Sequence, residues 1–179
     1  MTTATSELRC YIACLACYNA GTLRGDWYDA AMARDVTPRE IHGGRETSHE
    51  ELWILDLDGD CWPVNREMSP HEATEWAEVF DEVDEHQRAA LAAWVRSGSY
   101  TAQGDSDYPV VSDFEEAYAG NWDSFRQYSD QYVEDTGMLD GVPEEVTRYW
   151  DYAAFARDLA MDHSVEPDGH GGVFIFRDI

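Results

Sequence analysis

The sequence contains no lysine. All 12 basic residues are arginine, they stand against 37 Asp and Glu, and the formal net charge is −25. Such an excess destabilises the compact state through self-repulsion, so it needs a reason: solubility, adaptation to high salt, or a binding function. Nucleic acids and anionic membranes carry the same sign and are disfavoured as partners. The charge instead predicts a basic protein surface as the partner.

Long hydrophobic runs are also missing. No segment approaches the roughly 20 apolar residues that span a bilayer. The start, Met1 to Glu7, has neither a basic stretch nor an apolar one, so we expect no signal peptide and a cytoplasmic protein whose four cysteines are thiols. Aromatic residues are plentiful, with 7 Trp, 10 Tyr and 6 Phe. That supply favours a folded core over disorder.

Motifs of the common enzyme classes are absent from the sequence. There is no H-E-x-x-H, G-x-S-x-G, P-loop or dinucleotide fingerprint. Carboxylate pairs such as Glu115 and Glu116 occur throughout an acidic chain and cannot be assigned as general acid and base. We therefore expect a protein that is not an enzyme and has no cofactor.

The local patterns predict an α+β fold. Leu8 to Tyr18 predicts a buried strand, followed by strands from Gly25 and over Glu51 to Leu57. Helices are predicted after Thr37 and Ser69, over residues 85–97, and from Asp123 and Asp151, each start marked by a capping residue except that at 85. Ser112 and Glu115 predict a short helix ending at Gly120, and Val173 to Phe176 a last strand.

Two motifs offer a metal as an alternative. Cys10, Cys14 and Cys17 have the C-x3-C-x2-C spacing of an iron–sulfur site. In a strand, however, Cys10 and Cys14 share one face while Cys17 points away, so buried core cysteines are favoured. Four acids match calcium-loop positions, but Cys61 stands where the loop needs glycine, so a β-turn at Asp58-Gly59 is favoured. These four acids are Asp56, Asp58, Asp60 and Glu67.

The acidic residues are concentrated in two stretches. Residues 67–85 contain eight acids and no arginine, and residues 105–145 contain twelve acids and only Arg126. On the helix after Ser69, a stripe of glutamates would lie opposite the apolar face, with members about 4.5–6 Å apart along the axis. Its members are Glu75, Glu78, Glu82 and Glu85. Solvated helix faces are the ordinary explanation of such stripes, but ordinary faces alternate in sign.

The order of short motifs resembles the ArdA antirestriction proteins. Near the start, Tyr11-Ile12-Ala13 is followed by Leu15, Tyr18-Asn19, Gly21, Leu23, Gly25 and Trp27. The C-terminal third resembles the family more closely, with FEEAYAG over 114–120, Trp122-Asp123-Ser124, EDTGML over 134–139, Val142-Pro143-Glu144, and YWDY leading into FARDL at 155–159. The three N-terminal cysteines are not part of the family pattern.

This resemblance implies a DNA mimic that inhibits type I restriction-modification enzymes by occupying their DNA cleft. It would block DNA cleavage by these enzymes, and it could also block DNA modification. The implied fold is elongated, with an α/β domain over 1–62, a helical middle over 63–109 and an α/β domain over 110–179 that forms a homodimer. The family's antirestriction motif would fall on Met138, Leu139, Asp140, Val142, Pro143, Tyr149, Trp150 and Asp151.

The residues predicted to contact the partner are the carboxylates of the two acidic stretches. A dimer mimicking DNA would use them together, so we expect single replacements to have little effect. The predicted set is Glu72, Glu75, Glu78, Glu82, Glu85, Asp113, Glu115, Glu116, Asp123, Glu134, Asp135, Glu144 and Glu145.

Overall fold

A computed structural model describes residues 8–59, 61–102 and 107–179 of the chain. It contains helices and two antiparallel three-stranded sheets, which confirms the α+β class. The chain forms two compact units, one from residues 1–92 and 102–111 and the other from 93–101 and 112–179. The predicted division into three domains stays a prediction. Within the described ranges, no helix has the length and apolar character to cross a membrane.

The first unit is built on a sheet whose order is β2-β1-β3, with β1 (Arg9–Cys14) between β2 (Gly25–Asp29) and β3 (Leu52–Asp58). In the register, Ile12 pairs with Asp26 of β2 and with Ile54 of β3. Both isoleucines are fully buried. The central strand therefore supplies the core on which the rest of this unit packs.

The predicted strand over Leu8 to Tyr18 is wrong in its second half. The strand ends at Cys14, and Leu15–Asn19 form a short helix, α1. The reason lies in the neighbouring strands, since pairing ends at Ala13 for β2 and at Cys14 for β3. Beyond that point the backbone has no strand partner, and helical hydrogen bonds satisfy it instead.

The remaining elements of the first unit begin at the predicted caps. Thr37 forms a complete capping box with Glu40, and Ser69 Oγ accepts a hydrogen bond from the Glu72 amide at 3.2 Å. The predicted helix over 85–97 is divided into a 3₁₀ turn and a helix, and the boundary between the two units falls within that helix. The elements are the 3₁₀ helix Ala30–Asp35, α2 (Pro38–Ile41), α3 (Pro70–Asp81), the 3₁₀ turn Glu85–Gln87 and α4 (Arg88–Ser97).

A buried hydroxyl fixes the orientation of α3. Thr74 is 1% exposed; its Oγ1 donates to the Ala30 carbonyl at 2.9 Å and accepts from the Arg34 amide at 3.0 Å. Trp76 and Phe80, which are four residues apart and share another face of the helix, are also buried. Between Thr74 and this buried face lies the arc that carries the glutamates, where Glu75 is half-buried and Glu78 is exposed.

The second unit contains a sheet in which β6 (Val173–Arg177) lies between β4 (Tyr118–Trp122) and β5 (His163–Pro167). The strand β6 is the one predicted at 173–176, whereas the sequence patterns do not predict β4 and β5. The helix predicted to end at Gly120 ends at Ala117, because the chain enters β4 and Gly120 has a left-handed φ of +110°. The elements are α5 (Val111–Ala117), β4 (Tyr118–Trp122), α6 (Phe125–Asp135), α7 (Glu144–Thr147), α8 (Tyr152–Leu159), the 3₁₀ turn Ala160–Asp162, β5 (His163–Pro167) and β6 (Val173–Arg177).

An aromatic cluster forms the core of this unit. Phe114 is fully buried and stacks on Tyr118 with ring centroids 5.3 Å apart; Trp94 and Phe176 lie within 6.3 Å of it. The predicted cap at Asp151 is confirmed. The cap of α6 is Ser124 rather than Asp123, since the Ser124 hydroxyl accepts from the Gln127 amide at 3.2 Å.

Candidate partner-binding surface

Most of the carboxylates predicted to contact a partner lie on the surface of the two units. Three of the thirteen, Glu72, Glu75 and Asp113, are half-buried. The other ten are exposed: Glu78, Glu82, Glu85, Glu115, Glu116, Asp123, Glu134, Asp135, Glu144 and Glu145. The structure therefore leaves the predicted set accessible, while the contacts made by each member differ.

On α3 the acidic stripe is partly neutralised. Residues 67–85 include no arginine, yet the fold brings three arginines to them from other segments of the chain. They come from the 3₁₀ helix before α2, from the segment before α3, and from the start of α4. The pairs are Arg66 with Glu72, Arg34 Nη2 with Glu78 Oε1 at 2.7 Å, and Arg88 Nη2 with Asp81 Oδ1 at 2.8 Å. The expectation that this stretch repels itself is therefore only partly right.

Glu75 is held by an aromatic neighbour. The Tyr108 hydroxyl donates to Glu75 Oε2 at 2.7 Å, and the Tyr108 ring meets Trp76 edge-on with centroids 4.8 Å apart. Burial, and then the hydrogen bond to Glu75, raise the pKa of Tyr108, so the phenol remains a donor. Glu75 thus fastens residues 107–108 to α3, which is a structural role.

The glutamate stripe does not continue at a regular helical rise. The helix α3 ends at Asp81, Glu82 is its C-cap, and Glu85 stands in the following 3₁₀ turn. Asp84 has extended backbone, with ψ of 145°, and Val83 is 5% exposed because it turns into the core. The predicted spacing along one axis therefore applies from Glu75 to Glu82, whose C-cap backbone is still helical, and it is wrong for Glu85.

The second unit carries eight of the thirteen predicted carboxylates, and the fold brings an arginine from β6 to one of these residues, since Arg177 Nη2 donates to the Glu116 carbonyl at 2.8 Å. Residues 113–145 contain ten acids and one cation, Arg126. The Arg126 Nε donates to Asp130 Oδ1 at 2.7 Å, and its guanidinium lies 5.8 Å from the centre of the Tyr152 ring. Arg126 is thus paired with Asp130, which is not among the carboxylates predicted to contact a partner.

Two of these carboxylates stand where they weaken the local structure. Glu134 and Asp135 form the last turn of α6, at the negative end of the helix dipole. Gln131 Nε2 donates to Asp135 at 2.7 Å, while Glu144 and Glu145 in the first turn of α7 have the favourable placement. An acid at a helix C-terminus costs roughly 0.3–1 kcal/mol of helix stability.

The segment over 138–151, where the antirestriction motif is predicted, is unusually apolar on its surface. Met138 is 44% exposed, Val146 58% and Tyr149 83%. Trp150, in contrast, packs on Phe155 with ring centroids 5.6 Å apart. Val146 is not among the predicted motif residues, although its neighbours Glu144 and Glu145 at the start of α7 are among the predicted carboxylates.

A family model described as antirestriction protein (ArdA) matches residues 10–174. The chain belongs to the ArdA family. The match covers nearly the whole length of the chain and confirms the resemblance seen in its short motifs. No curated protein matches the chain significantly. ArdA proteins are inhibitors and not known enzymes, and membership implies an interaction with restriction-modification enzymes.

The cysteines of this ArdA protein lie differently from the prediction. Cys10 is fully buried in β1, and its burial raises the pKa of the thiol to about 12, as expected for a core cysteine. Cys17, however, does not point away from Cys14: because the chain turns into α1, the two side chains lie together, and His42 and His49 lie beside them. The iron–sulfur triad is therefore not the arrangement that forms.

The calcium-loop interpretation gains no support from the described residues. Asp56 Oδ1 accepts a hydrogen bond from the Leu57 amide at 2.9 Å, and Asp56 and Asp58 lie on β3. Asp60 is outside the described residues. In the described ranges the convergent group of metal-ligand side chains is the Cys/His group, which contains none of these acids.

Proposed function

We propose that this ArdA protein inhibits type I restriction-modification enzymes by presenting carboxylates to the basic cleft that binds DNA. The observation that carries the proposal is the acidic surface of the second unit, where the segment over 113–145 contributes ten acids and one arginine, Arg126, which is paired with Asp130. Such a surface attracts a site built for phosphates and repels nucleic acid itself. Cleavage is blocked because the enzyme cannot hold DNA and the inhibitor together.

The amount of charge is suited to this role. We propose a homodimer, formed through the C-terminal part, in which two chains of net charge −25 act together. At about 1.7 Å of duplex per charge, about 50 charges correspond to about 85 Å, or about 25 base pairs. The exposed Met138, Val146 and Tyr149 are candidates for the dimer contact, since large exposed apolar groups that lie close in sequence mark interaction surfaces.

The contacts on α3 refine which carboxylates contribute. Glu72 and Glu78 are paired with arginine, and Glu75 holds Tyr108. A paired carboxylate must give up its cation before it can serve a new one, so its net contribution to binding is smaller. We propose that the exposed acids of α5, α6 and α7 dominate the interaction.

Competition with DNA tests the proposal. A purified type I enzyme is incubated with a labelled duplex that carries its recognition site, and increasing protein is added. Displacement of the duplex, at a concentration that rises with added salt, is expected because the attraction is electrostatic. In cells, expression is expected to raise the plating efficiency of unmodified phage. Failure of both displacement and protection would refute the proposal.

A further inference from the structure

Four metal-ligand side chains of the first unit converge on one point. Cys14 ends β1 and Cys17 lies one turn later on α1, whereas His42 follows α2 and His49 precedes β3. Their ligand atoms, two sulfurs and two ring nitrogens, all lie within 4.8 Å of one another. Cys14 is buried and the other three residues are half-buried. The four therefore surround a small, partly enclosed space.

Three of the sulfur-to-nitrogen distances are close to the edge length of a metal-centred tetrahedron. Cys14 Sγ is 3.2 Å and Cys17 Sγ 3.5 Å from His49 Nδ1, and Cys17 Sγ is 3.8 Å from His42 Nε2. In a tetrahedral zinc site, with Zn–S about 2.3 Å and Zn–N about 2.0 Å, the sulfur-to-nitrogen edge is about 3.5 Å. The three observed sulfur-to-nitrogen distances range from 3.2 to 3.8 Å and are centred on that value.

The backbone brings the two histidines to the cysteines. The Cys14 amide donates to the Arg24 carbonyl at 2.9 Å and the Leu15 amide to the Glu51 carbonyl at 3.0 Å, which fixes the corner where β1 becomes α1. After His42, two consecutive glycines with φ of +66° and +81° reverse the chain. The loop over 43–48 then returns, so that His49 faces the same corner.

Hydrogen bonding alone explains this convergence poorly. A thiol has one proton to donate and its sulfur accepts only weakly, whereas Cys17 Sγ lies near both histidines and His49 Nδ1 lies near both sulfurs.

We propose that Cys14, Cys17, His42 and His49 bind one Zn²⁺ in tetrahedral coordination. Two thiolates and two imidazoles form the S₂N₂ set that selects zinc, while Ca²⁺ and Mg²⁺ require oxygen ligands. All four positions come from the protein, so the ion is structural and fastens the 43–48 loop to the β1–α1 corner. The site is separate from the carboxylates of the proposed function, and neither proposal depends on the other.

Metal content and cobalt substitution test the site in the unmodified chain. The protein is purified with a thiol reductant and without chelator, supplied with ZnCl₂, and dialysed against zinc-free buffer. We expect one zinc per chain by elemental analysis. Replacement by Co²⁺ is expected to give the intense visible bands of tetrahedral cobalt and a near-ultraviolet thiolate charge-transfer band. A chelator is expected to lower the thermal midpoint, and zinc to restore it.

Matched variants connect the metal to these side chains. Cys17→Ser and His49→Ala are expected to lose the stoichiometric zinc, whereas Cys61→Ser and His86→Ala, which replace the same residue types elsewhere in the unit, are expected to keep it. Zinc below a tenth of an equivalent in the unmodified protein, together with a thermal midpoint that chelator leaves unchanged, would overturn the proposal. So would a Cys14–Cys17 disulfide in protein prepared anaerobically with reductant.

Discussion

Replacing six carboxylates of the second unit at once is the most direct test of the proposed surface. The variant changes Glu115, Glu116, Glu134 and Glu145 to Gln and Asp135 and Asp123 to Asn. All six are exposed. Among the described residues, none of the six forms an ion pair with arginine. The change removes charge from α5, α6 and α7 without emptying the core.

The expected loss follows from the strength of exposed ion pairs. Each solvent-exposed pair contributes about 0.2–1 kcal/mol. A single replacement should therefore weaken binding to a type I enzyme by less than about fivefold, since 1.4 kcal/mol is tenfold. At about 0.5 kcal/mol each, the six together contribute about 3 kcal/mol, which weakens binding about 150-fold.

The assay is displacement of labelled duplex from the enzyme at fixed ionic strength. A matched control removes six exposed carboxylates outside the acidic helices and has the same net charge. It carries Glu50→Gln, Glu51→Gln, Asp56→Asn, Asp158→Asn, Asp162→Asn and Asp178→Asn. We expect this control to lose much less affinity. If it loses as much as the helix variant, total charge rather than its placement determines binding, and the reasoning fails.

Three further predictions concern stability. Phe114→Ala should lower the free energy of unfolding by about 3–5 kcal/mol in denaturant titrations, because it empties the fully buried centre of the aromatic core; a loss under 1 kcal/mol would contradict this. Thr74→Val should cost about 1–3 kcal/mol, because the Ala30 carbonyl and Arg34 amide lose their buried partner; an unchanged midpoint would argue against it. The Asp168 carboxylate accepts hydrogen bonds from the Asn121 side chain and from two backbone amides, and these bonds lower its pKa. The stabilisation that Asp168 contributes is therefore complete above pH 3.8, its ordinary pKa, and is lost as pH falls through the lower pKa of the folded state. Asp168→Asn should flatten the acid limb of the pH–stability curve, and an unaltered limb would refute the assignment.

Local rules predicted the parts of the fold that depend on local chemistry. The capping residues Thr37, Ser69 and Asp151 mark helix starts because their side chains accept bonds from amides two or three residues later. The end of β1 at Cys14 could not be predicted in this way. It depends on how far the two partner strands extend, and those strands are remote in sequence.

The same limit applies to the two sites. The sequence locates the acidic stretches but could not show that Arg34, Arg66 and Arg88 pair with acids of α3, since these arginines belong to other segments. The Cys/His group was missed because the strand prediction separated Cys17 from Cys14. The sequence pattern that could have indicated the group is the C-x2-C spacing of Cys14 and Cys17, together with His42 and His49, which are separated by six residues.

The distribution of arginine explains why total charge misleads. The first unit has 21 acids and 7 arginines, and the second has 16 acids and 5 arginines, so net charge alone ranks the first unit as the more acidic. Three of the seven arginines in the first unit, however, are used on α3 and at its C-terminal end. In the second unit the stretch over 113–145 contains one cation, Arg126, and this arginine pairs with Asp130. The pairs on α3 must be broken before those carboxylates can bind a new cation, so we propose that the stretch over 113–145, and not the unit with the greater net charge, provides the stronger binding surface. Both charge-neutralised variants remove six exposed carboxylates that take part in none of the arginine ion pairs seen among the described residues, so their comparison measures the effect of position.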